Sequence, residues 1–297
     1  MVISSCTSGL CNRIHSVLGC KIIADELKRD FKVYWPNNAE LGADFKDLFD
    51  SSVATISGPD ALHLLSDARV TSKIYNAGLT GTCEYMNIDR HDVNEVIFIK
   101  SWTSPVFKGD IHGHDFREKL LQAVKHFPFK REITQKATPQ NFVKHVGIHI
   151  RFGDYRPYGI SHSEYFNEST VDVFRPFMQR IVEARPWAKF YVSCPNPEIK
   201  QQLKSEFCAV DFIDVNPYRS LDGARDAILD LTNLSGCAFV IGSHRSQFSQ
   251  YVGLMSGKVV ALLAKTPQLC VGPTSIDTTL DEVLAKTVQS LDAVMTK

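Results

Sequence analysis

No stretch of about 18 consecutive apolar residues occurs in this chain, so a membrane-spanning helix is not expected. Neither sign of charge is in excess, because 33 Lys and Arg balance 33 Asp and Glu. Without a global field, attraction to nucleic acid or to an anionic membrane is not expected, and any phosphate recognition must be local. Cysteine never occurs as C-x-x-C, and the scatter of Cys6, Cys11, Cys20, Cys83, Cys194, Cys208, Cys237 and Cys270 fits no zinc module. The opening residues read as a strand, Met1-Val-Ile-Ser-Ser5, and lack the basic and then apolar build of a cleaved leader. A cytoplasmic chain is therefore expected, its cysteines reduced and acting as small buried hydrophobes. Two nucleotide loops are missing. The absence of G-x-x-x-x-G-K-[ST] excludes a P-loop NTPase, and the absence of G-x-G-x-x-G after a strand argues against a dinucleotide dehydrogenase. An Asp-x-Asp triplet, by which many metal-dependent sugar-nucleotide enzymes hold a divalent cation, is absent too. No cofactor and no metal are expected, and a pyrophosphate would be met by arginine and backbone N–H groups.

The chain has 297 residues, 44% hydrophobic and 22% charged, which suits a globular protein of one large or two ordinary domains. Strand 2–5, a helix carrying Ile14, Val17, Leu18 and Ile22, and strand 32–36 form a strand–helix–strand unit, the building block of parallel sheets. Strand 95–100 and a helix over 115–126 follow. A polar, proline-marked stretch from Pro128 to Pro139 sets the expected division, with domains at 1–140 and 141–297. Beyond it, strands at 146–151, 189–193, 211–214, 238–242 and 258–263 alternate with helices at 164–183, 198–206 and 222–236 and one beginning at 243–249. That alternation predicts a doubly wound α/β domain.

The most informative segment is Val146-Gly-Ile-His-Ile-Arg-Phe-Gly-Asp-Tyr155. A β-branched strand delivers His149 and Arg151 on one side, and Asp154 into the turn after Gly153. The carboxyl end of such a strand is where open α/β sheets bind ligands. Arginine there suits phosphate because its planar fork makes two charge-assisted bonds at once. An Arg–Asp ion pair that merely fixes a loop is the alternative. A second candidate is Gly9-Leu-Cys-Asn-Arg13, where Asn12 and Arg13 stand at a helix N-terminus and Gly9 lets backbone approach a ligand. Asn12 is alternatively a plain N-cap. The third is Gly242-Ser-His-Arg-Ser-Gln-Phe-Ser249, a hydroxyl-rich strand-to-helix turn in which Ser243 or Ser246 alternatively caps a helix packed through Phe248, Tyr251 and Leu254.

In order and spacing these segments resemble the superfamily of α1,2-, α1,6- and protein O-fucosyltransferases, which includes the nodulation fucosyltransferase. Gly9-Leu-Cys-Asn-Arg13 with the following Tyr34-Trp35-Pro36 strand is similar to the opening G-x-x-N-[QR] element, and Asp44-Phe-Lys-Asp-Leu-Phe49 to the aromatic, acidic segment after it. His149-Ile-Arg-Phe-Gly-Asp154 resembles the H-x-R-x-x-D motif. Asp230-Leu-Thr-Asn-Leu-Ser-Gly-Cys237, Phe239–Ser243 and Ser246–Ser249 resemble the closing element. The resemblance covers roughly residues 2–50 and 146–263. It implies a GT-B architecture, two Rossmann-like domains facing across a cleft, and metal-independent, inverting transfer from GDP-fucose to an oligosaccharide or glycoconjugate acceptor. It also implies that Arg151 holds the β-phosphate and that His149 and Asp154 shape the nucleotide site. Asn12, beside Arg13, would reach the donor, and Asp230, Ser246, Phe248 and Ser249 would line the nucleotide pocket. Where α1,6 enzymes carry a second arginine, this chain has Phe152.

Attack by an acceptor hydroxyl calls for a proton acceptor. Asp154 is the expected catalytic base ahead of His162 and Glu164, and the aromatic loop Tyr155-Arg-Pro-Tyr-Gly-Ile160 is the expected neighbour of the acceptor. Two other readings stay open at this level: the same fold using another nucleotide sugar, as in rhamnosyl or xylosyl transfer, and a non-catalytic nucleotide- or carbohydrate-binding module.

Overall fold

The computed structural model describes all residues except 68, 77–86, 90, 92, 102–104, 108–113, 126, 152–169, 215–218, 245, 264–266, 272–273 and 297. The chain is α/β and forms two compact units. One comprises Met1–Arg131 with Arg219–Arg225, the other Glu132–Tyr218 with Asp226–Lys297. The return of 219–225 to the first unit has no local signature in the sequence, and the division falls at residue 131, ahead of Pro139.

In the first unit the elements are β1 (Val2–Ser5), α1 (Leu10–Glu26), β2 (Phe31–Tyr34), α2 (Phe45–Leu48), β3 (Ala54–Thr55), α3 (Gly58–Ser66), β4 (Ser72–Asn76), β5 (Asn87–Ile88), β6 (Val96–Lys100), β7 (Val106–Phe107) and α4 (His114–Lys125). Five of the strands make a parallel sheet in the order β3-β2-β1-β6-β4. Strand alternation explains why β1 is apolar from its first residue. Val2 enters a cluster with Cys20 and Ile23 of α1, while Ile3 enters another with Ile56 and Ala61 beside α3. Both faces of β1 are therefore covered, and α1 is buried along most of its length.

Besides the two-residue strands β3, β5 and β7, the elements α3 and β4 are not among the expected ones. Ser57 caps α3 with Pro59 in its first turn, a helix start that is legible in retrospect. In β4, Ile74 is exposed at the sheet edge and the flanking residues are polar, so no apolar run marks it.

The second unit begins around α5 (Arg131–Thr134) and continues through β8 (His145–His149), α6 (Val171–Ala184), β9 (Lys189–Ser193), α7 (Pro197–Glu206) and β10 (Val210–Asp211). It is completed by α8 (Leu221–Gly236), which belongs to this unit from Asp226 on, β11 (Phe239–Ser243), α9 (Gln247–Ser256), β12 (Val260–Leu263), β13 (Gln268–Val271), β14 (Thr274–Asp277) and α10 (Leu280–Met295). Its sheet runs β10-β9-β8-β11-β12-β13-β14, parallel through β12 and antiparallel in the last two strands. Phe174, Phe177, Met178 and Ile181 recur at helical spacing on α6 and pack on Val146, Ile148, Phe190 and Val192. Each such fully buried side chain contributes roughly 1.5–3 kcal/mol.

The five expected strands of this unit are all present. The sheet does not end at 258–263, however, because a β13–β14 hairpin extends it. Helix α10 then closes one face through Val283 and Leu291. A Thr279–Glu282 capping box starts that helix, a signal present in the sequence. Helix α6 is described from Val171, and residues 164–169 of the expected helix lie outside the described residues.

No disulfide joins the described cysteines, and all of these except Cys208 are buried. Burial pushes the thiols of Cys20, Cys237 and Cys270 up to about 12. Among the described residues no helix is long and apolar enough to cross a membrane.

Candidate nucleotide-binding site

In the second unit the chain leaves β8 toward β9 and β10, then returns on the other side of β8 as β11. The carboxyl ends of β8 and β11 thus flank the point where strand order reverses. His149 ends β8 and pairs in register with Gly242 of β11. One hydroxyl ties the two strand ends together: Ser243 Oγ accepts from the Arg151 main-chain N–H at 2.9 Å and donates to the His149 carbonyl at 3.3 Å. This fixes the backbone from which the Arg151 side chain springs, and Arg151 itself is half-buried.

The His149 ring is only 6% exposed. It stacks on Phe248, with centroids 4.4 Å apart and planes 22° from parallel, and its Nδ1 lies 2.7 Å from Ser249 Oγ. Burial drives the imidazole down to about 3, and the Arg151 charge acts in the same direction, so His149 is neutral at physiological pH. Glycine is required at 242 because a Cβ there would stand 2.0 Å from Ser249 Oγ. Ser246 is the N-cap of α9 and its side chain accepts from Ser249 N–H. Its hydroxyl is therefore used within the helix start, as the capping alternative holds, whereas Ser243 Oγ braces the motif.

Asp230 stands one strand over. It is 5% exposed on α8, accepts from Tyr191 Oη at 2.6 Å through Oδ1 and from Ser193 Oγ at 2.7 Å through Oδ2. Ser193 is the register partner of His149, which sets the network beside the motif. Asn233 extends it, donating to Tyr191 Oη and accepting from Thr138 N–H. Burial raises the Asp230 carboxyl to about 6 against the lowering effect of these hydroxyls, and raises the Tyr191 phenol. Both carboxylate oxygens are thus engaged by side chains of β9. Asp230 braces the sheet end, a role that the pocket-lining expectation did not include. Tyr191, Ser193 and Asn233 were not singled out from the sequence. Their alternation in an ordinary apolar strand and helix carries no signal until the partner is known.

In the first unit, the loop after β1 leads to α1 with Gly9 as N-cap, so Asn12 is not the cap and sits half-buried in the first turn. Arg13, expected among the donor-binding residues, is engaged by main-chain and side-chain groups of its own unit. It is fully buried, and its guanidinium donates to Ser8 O at 2.5 Å, Pro36 O at 2.5 Å, Thr7 O at 3.3 Å and Asn38 Oδ1 at 2.8 Å, with its carbon 5.2 Å from the centroid of Trp35. Desolvation lowers it to about 10, still cationic. Arg13 ties the loop after β1 to the segment after β2; a ligand is not needed to satisfy it. The Asp44–Phe49 segment, the other part of the opening resemblance, builds an aromatic cluster in which Phe45 and Phe49 meet Trp35 edge-on at 5.4 Å.

The structure therefore brings together His149, Arg151, Ser246, Phe248 and Ser249, adds Gly242 and Ser243, and sets Asp230 in an adjoining network. Asp154, the loop 155–160, His162 and Glu164 lie outside the described residues. Among the described residues no group of three His, Cys, Asp or Glu side chains is arranged to hold a metal ion.

No family model and no curated protein matches the chain by sequence. Solved structures match it in fold. NodZ α-1,6-fucosyltransferase soaked with GDP-fucose has a TM-score of 0.59 at 14% identity over 92% of this chain and 99% of that one. Fucosyltransferase NodZ from Bradyrhizobium has a TM-score of 0.58 at 13% identity, covering 92% and 98%. A variant of Arabidopsis thaliana FUT1 in complex with GDP has a TM-score of 0.56 at 15% identity, covering 88% and 69%. The chain thus has a fucosyltransferase-like fold, both units included.

Proposed function

We propose that this chain is an inverting, metal-independent glycosyltransferase of GT-B architecture that moves L-fucose from GDP-fucose to a hydroxyl of an oligosaccharide or glycoconjugate. The observation that carries the reading is the braced His149–Arg151 strand end at the reversal point of the second sheet. Its weight comes from the fold it sits in, shared with a NodZ structure soaked with GDP-fucose and a plant FUT1 structure in complex with GDP.

The chemistry follows from charge. Breaking the bond between the sugar and the diphosphate leaves negative charge on the departing oxygens. A guanidinium already in position stabilises that charge most at the transition state, and loss of such a donor typically costs about 3 kcal/mol. Ser243 supplies the positioning, because it holds the Arg151 main-chain N–H at the strand end. Neutral His149 contributes a hydrogen bond without competing for the anion as a second cation. In this reading Asp154, three residues beyond Arg151, takes the proton of the acceptor hydroxyl, and the aromatic residues within 155–160 are the candidates for contact with the acceptor sugar.

A screen of nucleotide-sugar donors for hydrolysis, followed by mass spectrometry of products with glycan acceptors, tests the reading. GDP-fucose is expected to be consumed ahead of UDP- and dTDP-sugars. Preference for another sugar nucleotide would reassign the donor, and GDP binding without turnover on any acceptor would leave a binding module.

A further inference from the structure

Ser249 is buried and its own N–H is held by the Ser246 side chain, so its hydroxyl hydrogen needs an acceptor. Among the described residues the only partner of Ser249 Oγ is His149 Nδ1, 2.7 Å away. If Nδ1 carried the ring proton, the serine would receive it and its own hydrogen would be stranded without an acceptor among the described residues. If Nδ1 carries the lone pair, both groups are satisfied by one bond. We propose that Ser249 is a positioning residue that donates to His149 Nδ1 and thereby fixes the Nε2–H tautomer, so that His149 offers a donor, and no acceptor, to the ligand at the end of β8.

Two further features fit a site built for this contact. Gly242 leaves the space that Ser249 Oγ occupies, and Phe248 stacks on the imidazole to hold its plane. With the ring neutral, the two nitrogens must differ, and the serine decides which is which. A ring with its proton on Nε2 selects acceptor atoms such as phosphate oxygens. This inference rests on the nucleotide-sugar reading for the identity of the ligand, but the tautomer itself does not depend on it.

The test uses the full chain labelled with ¹⁵N-histidine. Two-bond ¹H–¹⁵N correlation spectra report which nitrogen of His149 is protonated, and calorimetric titration reports GDP affinity. The wild type is expected to show a single Nε2–H form. Ser249→Ala, which removes the donor, and Gly242→Ala, which displaces it, are expected to lose that single form and to bind GDP about three- to tenfold more weakly. Ser249→Thr retains the hydroxyl and is expected to retain the tautomer. An Nδ1–H form in the wild type, or an unchanged Nε2–H form in Ser249→Ala, would overturn the proposal, and the wild-type spectrum decides even if a variant fails to fold. An Nε2–H wild type that binds no GDP supports the tautomer assignment while counting against the nucleotide-sugar reading.

Discussion

Two arginines stand beyond the carboxyl ends of central parallel strands in this chain, one in each unit, and both belong to segments that look like ligand motifs. Arg13 follows β1 and a glycine-bearing loop; Arg151 follows β8. Sequence treats them alike, and the structure separates them. Arg13 is enclosed and meets three carbonyls, one amide oxygen and an indole face. Arg151 is half-buried, and its main chain is what the neighbouring strand holds. A buried guanidinium whose donors are matched by its own fold is architecture. One that is only half-buried at a strand end, on a backbone that is braced, is suited to an anion that arrives and leaves. Burial makes this distinction where residue type and spacing cannot.

The comparison is broken most directly by substituting each arginine. Arg151→Ala is expected to lower transfer from GDP-fucose by about 100-fold or more while leaving the denaturation midpoint near that of the wild type. Arg151→Lys is expected to recover little, since one ammonium does not reproduce a bidentate fork. The reverse pattern is expected for Arg13→Ala, with a loss of at least about 3 kcal/mol of stability in chemical denaturation because several buried acceptors lose a charged donor together. If Arg13→Ala folded as firmly as the wild type and lost only donor affinity, the assignment of the two roles would be reversed.

pH sharpens the contrast within the second unit. His149 titrates near 3 when folded and near its ordinary value of 6.5 when unfolded, so the stability it confers is complete above pH 6.5 and falls away as pH drops toward 3. Asp230 acts in the opposite sense. Its folded value is raised to about 6 from 3.8, so its contribution is largest below pH 4 and is lost as pH rises through 6. Denaturation curves between pH 4 and 7 are expected to show His149→Asn flattening the acid-side loss and Asp230→Asn steepening it. Equal slopes in the wild type and both variants would show that neither group is held as described.

The smallest effect is expected at Gly9. Its φ is −65° and nothing lies within 4 Å of a Cβ placed there. Gly9→Ala is therefore expected to change stability by about 1 kcal/mol or less, the usual difference between glycine and alanine at an N-cap. A larger fall in donor affinity than in stability would indicate that a ligand comes close to this backbone.

Much of the second unit was legible because its strands are buried on both faces and read as apolar runs, while helices such as α6 show clean 3.6-residue spacing. The hairpin β13–β14 was not, since Ile276 is exposed and the flanking residues are polar. For the site, His149 and Arg151 were visible because ionisable groups at an apolar strand end demand an explanation, whereas Phe248 and Ser249 came in only through the family resemblance of their segment. Ser243 and Gly242 were visible only as members of a turn; that one braces Arg151 and the other makes room for Ser249 depends on the register between β8 and β11. Arg13 and Asp230 show the converse. Motif position and resemblance suggested ligand contact for them, and what the structure adds is their partners Asn38, Tyr191 and Ser193, scattered along the chain and invisible before folding.

Calorimetric titration of GDP into the wild type and into Arg151→Ala, each with its unfolding midpoint recorded, addresses the central claim. Saturable binding by the wild type, weakened by about tenfold or more in a variant that unfolds at the same denaturant concentration, is the result this account requires. Equal affinity in the two proteins would contradict it.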